Sequence, residues 1–143
     1  MTRLACALLI VLAVVAADGA AATAQGTTTT SAAPVKSMKA AGFGSVMATL
    51  GNRALYYWTP EKRRPGTIVC TGACARAWPV LVVRKGVTVR KRYPGFKGVF
   101  GTIRRPDGRR QLTYNRLPLY TYAHEGPRQV LCDDVDGWFV VRL

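Results

Sequence analysis

Cys70, Cys74, Cys132 and His124 supply three sulfurs and one imidazole nitrogen, the donor types that hold zinc or iron. Their spacing argues for another use. Cys70 and Cys74 form a C-x-x-x-C pair, wider than the common metal knuckle, and Cys132 and His124 show no paired spacing. Across a turn this pair can bring its Cα atoms within the roughly 7 Å that a disulfide requires. A Cys70–Cys74 disulfide fixing the turn beneath Trp78 is therefore expected in an oxidising compartment, leaving Cys132 as a small buried hydrophobe in preference to a partner in a swapped pairing or an intermolecular link. The competing expectation is an extracytoplasmic redox or metal-handling protein that uses Cys70, Cys74 and Cys132.

Hydrolytic chemistry lacks parts. Ser31, Ser37 and Ser45 are the only serines, and a lone His124 supplies no triad. Glu61 and Glu125 could form an acid–base pair across a cleft, but the plainer expectation is that each accepts hydrogen bonds from turn amides or pairs with an Arg. No catalytic residue, metal site or cofactor is assigned, and the chain is expected not to be an enzyme.

The elements that position these groups follow from 143 residues and 15.5 kDa, enough for one domain. Met1-Thr2-Arg3, an apolar run from Leu4 to Ala17, and Ala22-Thr23-Ala24 read as a signal peptide over residues 1–24. The apolar run is shorter than the roughly 20 residues of a membrane span, so no transmembrane segment is expected after cleavage. Residues 25–38, rich in Thr, Ala and Ser, read as a flexible leader, and residues 39–143 as a single β domain. The expected location is extracytoplasmic, periplasmic or secreted.

Short alternating runs predict strands. Val46 to Leu50, Gly51-Asn52 and Ala54 to Trp58 read as one hairpin. Gly101 to Arg105, Pro106-Asp107-Gly108 and Arg110 to Tyr114 read as another. Leu117 to Tyr122, Trp138 to Leu143, Leu81 to Val83 and Val87 to Val89 complete the expected strands. The one expected helical turn, Gly72 to Ala77, is ended by Trp78-Pro79.

The aromatic clusters repeat. Leu55-Tyr56-Tyr57-Trp58-Thr59-Pro60-Glu61 aligns with Leu119-Tyr120-Thr121-Tyr122-Ala123-His124-Glu125. A mainly β fold follows, with two related units at about 44–83 and 98–143 packed about a pseudo-two-fold axis, because neither could bury its apolar face alone. Within it, Tyr56, Trp58, Tyr120 and Tyr122 are expected as an inward aromatic stripe more than as an exposed platform.

These aromatic motifs, the segment Cys70-Thr71-Gly72-Ala73-Cys74-Ala75-Arg76-Ala77-Trp78-Pro79 and the run from Thr102 to Tyr120 together resemble a bacterial secreted lipoprotein-repeat family. That family is marked by Y-x-[FWY]-x-x-D; here Glu61 and Glu125 stand in place of its Asp. The resemblance implies an envelope protein and carries over no catalytic residue.

Charge supplies the remaining expectation. With 21 Lys and Arg against 7 Asp and Glu, the net charge is +14. Lys62-Arg63-Arg64, Arg90-Lys91-Arg92, Arg104-Arg105 and Arg109-Arg110, with Arg84-Lys85, fall mainly in expected loops and favour anionic surfaces. The expected partners are anionic envelope polymers or lipid head groups, bound through a cationic face. No recognised nucleic-acid-binding motif accompanies the charge.

Overall fold

A computed structural model of the chain describes residues 32–143; the expected signal peptide and residues 25–31 of the expected leader lie outside the described residues. The fold is mainly β, in several small sheets. In chain order the elements are β1 Val35–Ala40, β2 Gly44–Thr49, β3 Tyr56–Trp58, α1 Thr59–Lys62, α2 Gly72–Ala77, β4 Val82–Val83, β5 Phe100–Arg104, β6 Arg110–Tyr114, β7 Leu117–Pro118 and β8 Trp138–Val140. β1 pairs β2, β3 pairs β8, and β6 lies between β4 and β5 while also pairing β7, all antiparallel.

The ordered fold begins before the expected boundary near residue 39. Val35–Ala40 forms a strand rather than leader, because Val35, Met38 and Ala40 are buried against the cores. The first expected hairpin is also reassigned. Its reversal exists, with Asn52 at φ 65° and the Thr49 amide accepted by the Arg53 carbonyl at 2.9 Å. Beyond the Ala48–Ala54 bridge, however, β3 leaves β2 and pairs β8. The second hairpin forms as expected: Gly108 takes φ 82°, its amide donates to the Arg105 carbonyl at 2.9 Å, and Asp107 Oδ1 accepts the Arg109 amide at 3.0 Å. The helical turn spans the expected residues, an unexpected second short helix forms at α1, started by Pro60 in its first turn, and Val87 to Val89 is not a strand.

Two apolar cores sandwich the central backbone. In β2, Val46 and Ala48 enter one core and Met47 the other, as strand alternation requires. Tyr56 and Leu55 divide in the same way, as do Tyr120 and Leu119, and Val140 and Val141. A backbone layer buried on both sides must satisfy its amides internally. It does so through two three-cornered circuits. Met47 N donates to Val141 O, Val141 N to Leu55 O, and Leu55 N to Met47 O, at 2.8–2.9 Å. Leu112 N donates to Leu81 O, Leu81 N to Leu119 O, and Leu119 N to Leu112 O, at 2.8–3.0 Å. Each circuit thus joins a chain reversal, Met47–Leu55 or Leu112–Leu119, to a segment distant in sequence. Tyr56 and Tyr120 lie between them and exchange backbone hydrogen bonds at 2.9 and 3.0 Å.

Candidate functional site

The repeated aromatic motif is an interior knot. Tyr56 and Tyr120 are fully buried, and each hydroxyl crosses to the other motif's carboxylate: Tyr56 to Glu125, and Tyr120 to both oxygens of Glu61 at 2.9 and 3.0 Å. Glu61 Oε1 also accepts the Val69 and Cys70 amides at 2.8 and 3.0 Å, closing the loop behind α1. Glu125 Oε1 accepts the Leu131 amide at 2.7 Å and closes a second loop. The carboxylates therefore cap turns, each held by the opposite tyrosine. Desolvation first, and then the paired glutamate, push both phenols well above their ordinary pKa. Such groups stay protonated as hydrogen-bond donors.

Trp138 is sandwiched between Trp78, at 3.8 Å between centroids and 9° between planes, and Trp58, at 5.3 Å and 9°. Tyr122 packs against Trp78, while Trp58 lies partly exposed and donates its indole N–H to the Asp136 carbonyl at 3.0 Å. The aromatic stripe is thus mostly core, with its Trp58 end reaching the surface.

Burial also raises the Glu125 carboxyl above its ordinary value. A carboxyl whose pKa is raised by folding favours the folded state fully below its unfolded pKa and loses that contribution as pH rises through the folded value. Glu125→Gln retains an acceptor for Tyr56 without the ionisation. In urea titrations from pH 4 to pH 8 the variant should therefore gain stability relative to the parent as pH rises. A constant difference across that range would exclude the linkage.

Cys70 and Cys74 form a disulfide with Cα atoms 5.2 Å apart, Cys74 lying in α2. Cys132 carries a free thiol, half-buried against the first core, and burial followed by the Glu125 charge pushes it up, the reverse of what a reactive thiolate requires. Among the described residues, no three His, Cys, Asp or Glu side chains gather as a metal set.

The cationic residues divide into two regions and one exception. Around the β5–β6 hairpin tip, Arg84, Lys85, Arg104, Arg109 and Arg110 line a shallow cavity of about 390 Å³. A neighbouring cavity of about 440 Å³ shares Arg110 and adds Lys91. Asp107, in the hairpin turn, is held by Arg109 at 2.7 and 2.9 Å, and Arg110 is braced on the Val87 carbonyl at 3.1 Å. Arg90 and Arg92 are exposed on the adjoining loop, where Arg90 lies over Tyr93. Lys62, Arg63 and Arg64 are exposed at and just after α1, with Lys62 above the Tyr57 ring.

Arg105 is the exception and corrects the expected surface set. It is only 4% exposed, donating to Gln111 Oε1 at 2.6 Å and to the Cys70 carbonyl at 2.7 Å. On this hairpin Arg104 faces out and Arg105 is enclosed, so the guanidinium ties the disulfide loop to β6. Arg84 and Lys85 join the hairpin cluster although their sequence position placed them only in a loop. Arg53, which donates to the Tyr122 carbonyl near Glu125, had no distinguishing signal among so many cations.

No helix among the described residues is long and apolar enough to cross a membrane. No family model, curated protein or solved structure matches the chain.

Proposed function

We propose that this protein is a noncatalytic, extracytoplasmic cell-envelope protein that binds anionic envelope components through a cationic surface. The observation that carries the reading is the convergence of Arg84, Lys85, Arg104 and Arg110 on one shallow cavity whose lining contains no carboxylate. The one carboxylate beside it, Asp107, is taken up by Arg109, so the remaining four closely spaced cations repel one another, and an anionic surface relieves that repulsion. Burial of Glu61 and Glu125 supports the reading further, since it removes two of the seven carboxylates from the surface. The resemblance to secreted lipoprotein repeats is part of the same proposal, as is descent of the two halves from one duplicated unit packed about a two-fold axis. The twice-used hydrogen-bond circuit and the reciprocal Tyr–Glu bonds support the duplication.

The test is sedimentation with vesicles containing anionic lipid, compared with zwitterionic vesicles, at rising salt. Binding should be confined to the anionic vesicles and weaken steeply between 0.05 and 0.5 M salt as the Debye length shortens from about 14 to 4 Å. Replacing Arg84, Lys85 and Arg104 together by Ser should weaken it roughly a hundredfold, at about 1 kcal/mol per cation. Removing Lys36, Lys39 and Lys97 changes net charge equally and should cost much less. Equal losses from the two triple variants would reduce the effect to net charge and remove the cavity from the account.

A further inference from the structure

We propose that the groove between the β3–β8 pair and the β6–β7 turn binds an anionic sugar, a pyranose ring carrying a carboxylate or phosphate. This rests on the preceding reading that the partner is an anionic envelope component, and it names the chemistry of one unit of that partner.

Strand register creates the aromatic surface. Tyr57 pairs Phe139 between the Tyr56–Val140 and Trp58–Trp138 pairs. Because Tyr56, Val140 and Trp138 enter the first core, Tyr57 and Phe139 lie on the opposite face of this two-stranded sheet. Their rings are near-parallel, at 21° with centroids 5.9 Å apart, and both remain half-exposed. Tyr114 and Leu117 line the same groove, whose volume is about 470 Å³, within the range of small-ligand sites. Arg116 joins the β6–β7 turn to the loop after α1 by donating to the Pro65 carbonyl at 3.3 Å.

The electrostatics select the ligand. Lys62 Nζ stands 5.6 Å from the Tyr57 ring centre, and Arg142 lies on the rim, its position fixed by two hydrogen bonds to Asp133. Among the described residues no carboxylate lines the groove, and because Asp133 neutralises Arg142, Lys62 is the lining cation with no ion pair among them. An aromatic face is electronegative and accepts the C–H face of a pyranose, whose hydrogens carry partial positive charge. A purely apolar ligand would leave Lys62 without a counter-charge, whereas a carboxylate or phosphate on the stacked ring gives it a charge-assisted partner. The two halves of the groove are thus satisfied together by one acidic sugar.

The test uses the full chain labelled with ¹⁵N and titrated with a hexuronic acid disaccharide, a hexose phosphate and the neutral hexose disaccharide. At least one anionic sugar should shift the Tyr57, Leu117 and Phe139 amides with affinity tenfold or more above the neutral one, and which of the two binds identifies the source of the negative charge. Lys62→Gln should reduce the anionic sugar to the neutral level, and Tyr57→Leu, which retains apolar packing, should abolish the shifts. Equal affinity for neutral and anionic sugars, no shifts with any of them, or shifts confined to the β5–β6 hairpin would overturn the assignment. The Arg84, Lys85 and Arg104 triple variant should keep its sugar response while losing vesicle binding. Salt-sensitive vesicle binding with a silent groove would sink only the sugar assignment, leaving the cationic-surface reading standing.

Discussion

Glu61→Ala is expected to destabilise the fold by about 3–5 kcal/mol, because two buried donors and one part-buried donor lose their acceptor together, each buried one at a cost of about 1–3 kcal/mol before relaxation. The donors are the Val69 and Cys70 amides and the Tyr120 hydroxyl. The damage should be local as well as global. The Arg116 and Arg105 bonds hold only the Pro65 and Cys70 carbonyls, so without the carboxylate the Val69 and Cys70 amides should lose hydrogen-exchange protection before the β5–β6 hairpin does. Glu125→Ala should cost less, since its Oε1 receives the Tyr56 hydroxyl and the Leu131 amide while Oε2 has no partner among the described residues. Urea unfolding monitored by circular dichroism gives the ranking. A loss below about 1 kcal/mol for Glu61→Ala would mean that water replaces the carboxylate and that the knot is not what closes this loop.

Trp138→Ala should be of similar size, about 3–5 kcal/mol, as for other large aromatic truncations in a core. Trp138 is only 3% exposed and is stacked on both faces, while Tyr120 meets it edge-on at 5.1 Å. Its removal leaves a cavity bounded by two indoles that cannot collapse without moving β3 or the end of α2. Trp58→Ala, at the exposed end of the same stack, should cost about 1–2 kcal/mol, since a partly exposed ring gives up less buried area. Thermal unfolding checks both values, and far-ultraviolet circular dichroism in the strong indole band reads the stack: the Trp138 variant should lose the exciton signal of the stacked indoles, and the Trp58 variant only part of it.

What was legible in the sequence was local. Pro106-Asp107-Gly108 specifies its turn through one residue's φ and one side chain's hydrogen bonds, and Gly72–Ala77 ends where Trp78-Pro79 forbids continuation. The loop-capping carboxylates were legible too, because matched positions of two motifs signalled a shared task. Pairing was harder to read. The choice of β8 over β2 as partner of β3 depends on segments about 80 residues apart, and nothing within Ala54–Trp58 encodes it. β1 was missed because its apolar residues follow a low-complexity run and its burial depends on cores built by later segments. Arg104 and Arg105 illustrate the limit for the candidate site, since adjacent identical residues carry no mark of which one faces solvent. The aromatic groove likewise arises from β3–β8 register, which composition does not report.

The crossed circuits bear on how the polypeptide reaches its final shape. The Met47–Leu55 corner lacks its third side until Val141, far along the sequence, reaches it. Such a topology makes closure of the doubly buried layer a non-local step, slower to complete than a locally paired hairpin.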